Sequence, residues 1–112
     1  MTRLLAIVLA CVLAATLAAS ALAASRTVRV GDNWFVRKRG VPTVTVHRGD
    51  VVTWRFVGRE PHNVQATSGP ARFTSPTRKS GAYRRRMTRR GTYTIVCTIH
   101  GPRDQRMKLV VR

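Results

Sequence analysis

Cysteine, histidine and acidic residues are scarce in this chain of 112 residues, and each shortage narrows what it can do. One of its two cysteines, Cys11, lies in an apolar N-terminal run, so a domain without that run keeps Cys97 as its single thiol and forms no internal disulfide. The four acids are scattered, and no acid pair or nucleophile triad can be recognised among them. We therefore do not expect an enzyme.

The N-terminal residues have the features of an export signal. Arg3 supplies a positive start, Leu4 to Leu17 form an almost unbroken apolar run, and Ala21-Leu22-Ala23 offers a small-x-small cleavage site. We predict a signal peptide over 1–23, one domain over 24–112, and a periplasmic or extracellular location. One alternative is a retained transmembrane anchor, because the apolar stretch is long enough to cross a bilayer. Another is a lipoprotein modified at Cys11.

The charge of the chain is strongly one-sided. The predicted domain has 20 basic residues against four acids, a formal charge of +16, and such a surface attracts anions. We do not expect nucleic acid as the partner, because an exported protein rarely meets it. The densest clusters, Arg84–Arg86 and Arg89–Arg90, indicate either a solvated strand face or a surface that docks or steers an acidic redox protein. An anionic envelope polymer or a membrane surface is a further partner for these clusters.

The pattern of the domain has the period of strands. Short runs rich in Val, Thr, Tyr and Ile are broken by Gly, Pro and Asp, which predicts an all-β Greek-key sandwich of seven to eight strands. We expect Val52, Trp54 and Phe56 to share a core face, and Cys97 to point inward with Tyr93. The predicted strands are Thr27–Val30, Trp34–Arg37, Thr43–His47, Val51–Val57, Asn63–Ala66, Tyr83–Thr88, Thr92–Cys97 and Arg106–Val111.

Three residues have the spacing and chemistry of metal ligands. Cys97 and His100 are three residues apart where a predicted strand enters a loop, so both can reach one metal ion. His62, at the predicted start of another strand, adds a second imidazole. One thiolate and two imidazoles with a weak fourth ligand is the set found in blue-copper sites, whereas zinc more often takes four strong ligands. The alternative is two ordinary loop histidines and a buried cysteine.

Several motifs occur in a familiar order. They are Val44-x-Val46-x-x-Gly49-Asp50-x-Val52-x-Trp54, then Pro61-His62-Asn63-Val64, then Gly91-Thr92-Tyr93-x-x-x-Cys97-Thr98-x-His100, and a closing strand Lys108–Val111. In these features the chain resembles a cupredoxin of the plastocyanin, pseudoazurin and amicyanin group. The resemblance implies that His62, Cys97 and His100 hold one copper ion, as Cu+ or Cu2+. It also implies that Asn63 ties the two ligand loops together by hydrogen bonding, with Thr98 nearby.

The fourth ligand departs from the pattern of these proteins, which place a methionine a few residues after the second histidine. The plastocyanin-like spacing Cys-x-x-His-x-x-x-x-Met lands on Gln105, and glutamine is an accepted weak axial ligand. Met107 is the alternative, although its position predicts a core side chain of the last strand. We expect Gln105 to be the axial ligand.

Electron transfer at a single copper site is the function that these features favour. A copper storage or delivery protein without a redox partner uses the same ligands, but such proteins more often carry extra Met or His. A metal-free cationic binding module is a third reading. Oxidases of this fold need additional copper centres, and only three histidines are present, of which His47 is predicted to lie on the surface. We expect a monomer that exchanges electrons with an acidic partner protein.

Overall fold

The computed structural model describes residues 23–112, and this range contains eight strands and no helix. The predicted signal peptide lies outside the described residues except for Ala23. No helix in the described range could span a membrane. The strands are β1 (Ser25–Gly31), β2 (Trp34–Phe35), β3 (Thr43–Val46), β4 (Val51–Phe56), β5 (Gln65–Ser68), β6 (Ala82–Arg86), β7 (Gly91–Val96) and β8 (Arg106–Val111).

The strands form two four-stranded sheets, which confirms the predicted all-β sandwich. One sheet has the order β2-β1-β4-β6 and the other has the order β3-β8-β7-β5. The pairs β1/β4 and β3/β8 are parallel, and the remaining neighbours are antiparallel. The chain changes sheet between β2 and β3, β3 and β4, β4 and β5, β5 and β6, and β6 and β7, so each sheet depends on the other for its connections.

The core lies between the inward faces of the two sheets. Val52, Trp54 and Phe56 of β4 are buried, as their alternation predicts, and Tyr93 and Cys97 are buried on the opposite side. Burying each large apolar side chain of this kind stabilises a fold by about 1.5 to 3 kcal/mol. The cysteine is therefore part of the packed core, directly beneath the loop that continues to His100.

Seven of the eight predicted strands differ from the observed ones by one or two residues at one or both ends, and β2 and β5 are two of these. β2 ends at Phe35 because Val36 has a φ of 67°, which an extended strand does not allow. β5 begins at Gln65, and His62 instead forms one isolated bridge with Arg78. The first histidine is therefore held by a single pair of backbone hydrogen bonds between loops, and not by a regular strand.

The ligand-bearing loops and the arginine-rich turns lie at opposite ends of the sandwich. β7 begins next to Arg89 and Arg90 and ends next to Cys97, and its six residues span about 20 Å. We call the end that holds Cys97 and His62 the ligand end. The turn that contains Arg89 and Arg90 lies at the opposite end of β7. We call that end of the sandwich the arginine end.

Candidate metal centre

Cys97 and His100 lie on a loop that closes on itself. Cys97 follows the last residue of β7, and its carbonyl accepts a hydrogen bond from the Gly101 N–H at 2.9 Å. The Gln105 N–H then donates to the Gly101 carbonyl at 3.0 Å, and the Cys97 N–H donates to the Gln105 carbonyl at 3.2 Å. These bonds fix the backbone of three predicted site residues before any metal is considered.

The structure brings one sulfur and two imidazoles together. The Cys97 Sγ atom is 3.5 Å from His100 Nδ1 and 3.8 Å from His62 Nδ1, and all three donor atoms lie within 4.8 Å of one another. With metal bonds of about 2.0 to 2.3 Å, as imidazole and thiolate make to zinc, donors in a trigonal plane are about 3.7 Å apart. The distances to sulfur therefore suit a metal ion at the centre of the group.

The surroundings of His62 supply a second test of whether a cation fits. Gln105 Nε2 donates to the Gly31 and Trp34 carbonyls at 2.7 and 2.9 Å, which orients its Oε1 toward His62 Nδ1 at 3.1 Å. The other ring nitrogen, Nε2, is 2.8 Å from a carboxylate oxygen of Asp32 and so carries the proton. Nδ1 and Oε1 then face each other as two acceptors, and a positive charge between them removes the repulsion.

Carboxylates hold both imidazoles from outside. Asp32 Oδ1 accepts from His62 Nε2, and Glu60 Oε2 accepts from His100 Nε2 at 2.7 Å. Each bond places the proton on the outer nitrogen and leaves Nδ1 free to bind a metal. Metal-binding histidines commonly have such a partner, because it fixes the tautomer and the orientation of the ring.

Asp32 is itself fixed by the loop that leads to His62. The backbone N–H groups of Arg59 and Glu60 donate to its carboxylate at 3.1 Å. The Arg59 N–H first, and then the bond from His62, lower the Asp32 pKa from 3.8 to about 2. A side chain at Gly58 would overlap this carboxylate, so the glycine leaves the space that Asp32 fills.

The interaction between Cys97 and His100 favours a thiolate at Cys97. Burial is the largest influence on its pKa and raises it. The Asn63 backbone and the His100 and His62 rings outweigh that effect, and the net pKa falls from 9.0 to about 7. Each ring donates to the sulfur only while its Nδ1 carries a proton, and a bound metal ion would replace that proton. The bond to Cys97 raises the pKa of His100, and Glu60 adds to this effect. The pair is therefore poised to ionise together.

The predicted link between the two ligand loops is present. Asn63 Nδ2 donates to Thr98 Oγ1 at 2.7 Å, and the Thr98 N–H donates to Asn63 Oδ1 at 2.8 Å. Since Asn63 follows His62 and Thr98 follows Cys97, the two bonds fix the distance between the loops. Sequence reasoning identified both residues, but only through the resemblance.

The two axial candidates occupy different places. Gln105 is fully buried with its amide oxygen toward the ligand group. Met107 is a fully buried residue of β8, and its cross-strand partner is the core residue Ile95. Asp32 and Glu60 were not predicted as site residues, because their pairing with the histidines depends on loops that are remote in sequence. The scarcity of acids was the single available signal.

Comparisons with known proteins agree with this geometry. No family model and no curated protein sequence matches the chain. Among solved structures it is similar to a methionine-to-glutamine variant of amicyanin in the Cu(I) form, with 34% identity and a TM-score of 0.62, over 79% of this chain and 82% of that one. An oxidised proline-to-glycine variant of amicyanin gives 34% identity, a TM-score of 0.61 and the same coverage. A methionine-to-alanine variant of amicyanin in the Cu(I) form has 32% identity and a TM-score of 0.62, over 85% of this chain and 87% of that one.

A two-sheet sandwich with a cysteine and two histidines at one end defines the class of small β proteins with a mononuclear metal site. With this identity and coverage, the chain belongs to the cupredoxins, the type 1 blue copper proteins, in the group that includes amicyanin. The grouping of His62, Cys97 and His100 fits a type 1 copper site.

Proposed function

We propose that this protein is a small exported electron carrier, and that His62, Cys97 and His100 bind one copper ion with Gln105 as the weak axial ligand. When bound, copper would supply the redox chemistry by alternating between Cu(II) and Cu(I). Met107 is the alternative axial ligand. The donor set supports copper, because one buried thiolate and two imidazoles match the preference of this metal, and the amicyanin relatives are described in Cu(I) and oxidised forms.

The observation that carries electron transfer is the restraint on each ligand. His62 is held by Asp32, and His100 is held by Glu60. Cys97 is held by its backbone bonds and by the link between Asn63 and Thr98. A donor set fixed before the metal binds changes little when the charge of the metal changes, and a small structural change favours fast electron exchange. A storage or delivery protein has to open its site to pass copper on.

His100 is the ligand through which an electron would leave. Its side chain is 16% exposed, whereas the His62 side chain is 0% exposed. Ile99, one of the exposed large hydrophobic residues of the described range, lies beside it, followed by the exposed Pro102. We infer that a redox partner docks on this apolar surface around His100.

Steering of an acidic partner to that surface requires cations at the ligand end. Three exposed arginines lie there: Arg59, Arg78 and Arg103. Arg59 is three residues before His62, Arg103 is three residues after His100, and Arg78 forms the β-bridge with His62. Arg89 and Arg90 are about 20 Å away along β7. That distance exceeds the Debye length of about 8 Å at physiological salt, so their fields at His100 are screened. We therefore propose Arg59, Arg78 and Arg103 as the steering residues in place of Arg89 and Arg90. Arg84–Arg86 follow β6 from its middle toward the arginine end.

Two measurements on the copper-loaded protein separate electron transfer from storage or delivery. An electron carrier gives reversible one-electron voltammetry and rapid self-exchange between its oxidised and reduced forms, and it releases copper slowly to a Cu(I) chelator. Rapid loss of copper to the chelator, together with slow self-exchange, would favour delivery. We propose no enzymatic activity and a monomeric state.

A further inference from the structure

The arginine end of the sandwich is assembled by backbone hydrogen bonds between four segments. The Arg48 N–H donates to the Arg112 carbonyl, the Gly49 N–H donates to the Met87 carbonyl, and the Val51 N–H donates to the Ala24 carbonyl, at 2.7 to 3.0 Å. These bonds bring remote basic residues to one surface. The exposed arginines of this surface are Arg26, Arg48, Arg86, Arg89, Arg90 and Arg112.

Few negative charges compensate this surface. Asp50 is the carboxylate at this end, and its oxygens accept hydrogen bonds from the Ala24 and His47 N–H groups at 3.0 and 2.8 Å. The other three acids belong to the ligand end. Among residues 23–112 every salt bridge involves a histidine, and none involves an arginine or lysine. The arginine end therefore presents six exposed arginines against one carboxylate side chain, Asp50, which is engaged with backbone N–H groups and not with an arginine.

The N-terminal segment joins the domain at this same end. Ala24 hydrogen-bonds to Val51, and β1 starts from there toward the ligand end. The apolar run Leu4–Leu17 ends seven residues before Ala24 in the sequence. A segment that engages a membrane during export therefore brings the arginine end, and not the ligand end, to the lipid headgroups.

We propose that the arginine end docks on the surface of a membrane that contains anionic phospholipids. This inference rests on the export that we propose above. Arginine is suited to binding phosphate, because its planar guanidinium donates two parallel hydrogen bonds to the phosphate oxygens. The attraction between its positive charge and the negative lipid headgroups adds to that contact. Docking in this orientation directs His100 away from the membrane, where a redox partner can reach it.

The test uses the full chain and two triple variants with equal net charge. One variant replaces Arg48, Arg89 and Arg90 with Gln, and the control replaces Arg59, Arg78 and Arg103 with Gln. The side chain of Arg86 is left in place because it donates to the Gly49 carbonyl. Binding is measured by co-sedimentation with phosphatidylcholine vesicles and with vesicles that also contain phosphatidylglycerol. The ratio of the two partition coefficients isolates the charge-dependent part of membrane binding, because the wild type and both variants share the same apolar N-terminal run.

We expect the wild type to prefer the anionic vesicles strongly. Each arginine near such a surface contributes about fivefold to binding, so the Arg48/Arg89/Arg90 variant should lose about a hundredfold of this preference. The control should lose less than tenfold. Replacing the same three arginines with Lys should retain most of the preference, and circular dichroism verifies that each variant is folded.

Three results would overturn the proposal. They are equal binding of the wild type to both vesicle types, equal losses in the two triple variants, and a loss in the Arg48/Arg89/Arg90 variant that appears with an acidic protein and not with lipid. The copper spectrum of each variant is recorded separately. A normal spectrum with no lipid preference would contradict membrane docking alone, whereas an absent spectrum in the wild type would contradict the proposed copper site.

Discussion

The side chain of Asn63 and residue Thr98 exchange two hydrogen bonds, at 2.7 and 2.8 Å, across the two loops that hold the histidines and the cysteine. Asn63 is mostly buried. Its amide therefore has no ready substitute partner if Thr98 is altered. This reciprocal pair sets the separation of His62 and Cys97 independently of any metal.

Replacing Asn63 with Ala should destabilise the copper-free protein. The change removes two hydrogen bonds and leaves the Thr98 N–H and hydroxyl without these partners, which costs about 1 to 3 kcal/mol of unfolding free energy. Urea denaturation followed by tryptophan fluorescence measures this loss. Thr98→Ser is the control, because it keeps both hydrogen-bonding groups and should change the midpoint little. An unchanged midpoint in the Asn63 variant would show that the pair has no structural role.

The identity of the axial ligand should be visible in the reduction potential. A thioether in place of an amide oxygen stabilises Cu(I), so Gln105→Met should raise the potential. Met107→Leu should leave it nearly unchanged and should cost less than about 1.5 kcal/mol of stability, since the swap conserves volume in the core. Voltammetry of both variants measures the potentials. A shift in the Met107 variant without one in the Gln105 variant would transfer the axial role.

Gln105 also has a structural part that this experiment has to separate. Its amide donates to the Gly31 and Trp34 carbonyls, and Met leaves both without that donor. We therefore expect Gln105→Met to lower the unfolding free energy by about 1 to 3 kcal/mol while it raises the potential. Gln105→Leu is the matched control, because it loses the same bonds without offering a sulfur.

Sequence reasoning reached the fold and the ligand group by two routes. The period of residues such as Val52, Trp54 and Phe56 predicted the strands, because alternate side chains of a strand face the core. The three candidate ligands, His62, Cys97 and His100, followed from residue type and spacing, and the structure groups them. The carboxylate partners could not be predicted, because Asp32 lies on a loop that is 30 residues away from His62 in the sequence. The prediction extended β2 too far, because no residue in its sequence indicates that Val36 has a positive φ.

The opposite positions of the ligands and the arginine-rich turns also needed the structure. In the sequence, Arg89 and Arg90 precede Cys97 by only a few residues and look close to it. An extended strand between them turns this short separation into about 20 Å. Proximity in sequence is therefore a poor guide to proximity along a strand.

Asp50 should contribute stability that depends on pH. The His47 N–H first, and then the Ala24 N–H, hold the pKa of this carboxyl below its ordinary value of 3.8. A lowered pKa in the folded state stabilises the fold fully above about pH 4, and this contribution is lost as the pH falls through the lowered folded-state value. Asp50→Asn should thus have a lower denaturation midpoint than the wild type at pH 7, and the difference should shrink toward pH 2. A difference that stays constant over this range would contradict the assignment.

Electron exchange with an acidic redox protein should depend on salt and on the ligand-end cations. Replacing Arg59, Arg78 and Arg103 with Gln should slow the second-order reaction about tenfold or more at low ionic strength, and much less at high salt, because complementary fields raise association rates by about 10- to 1,000-fold. The variant with Gln at Arg48, Arg89 and Arg90 should react nearly as fast as the wild type. Stopped-flow spectroscopy measures both. Equal slowing in the two variants would mean that overall charge, and not its position, governs the encounter.

The visible absorption spectrum of the purified protein with one equivalent of Cu(II) tests the central claim most directly. Cys97 Sγ lies 3.5 and 3.8 Å from the two imidazole nitrogens, so a copper ion among them would bond to the thiolate and give intense thiolate-to-copper charge transfer. We predict an intensely coloured protein, and the loss of this colour in Cys97→Ser. A colourless wild-type protein at full copper occupancy would contradict the type 1 copper site.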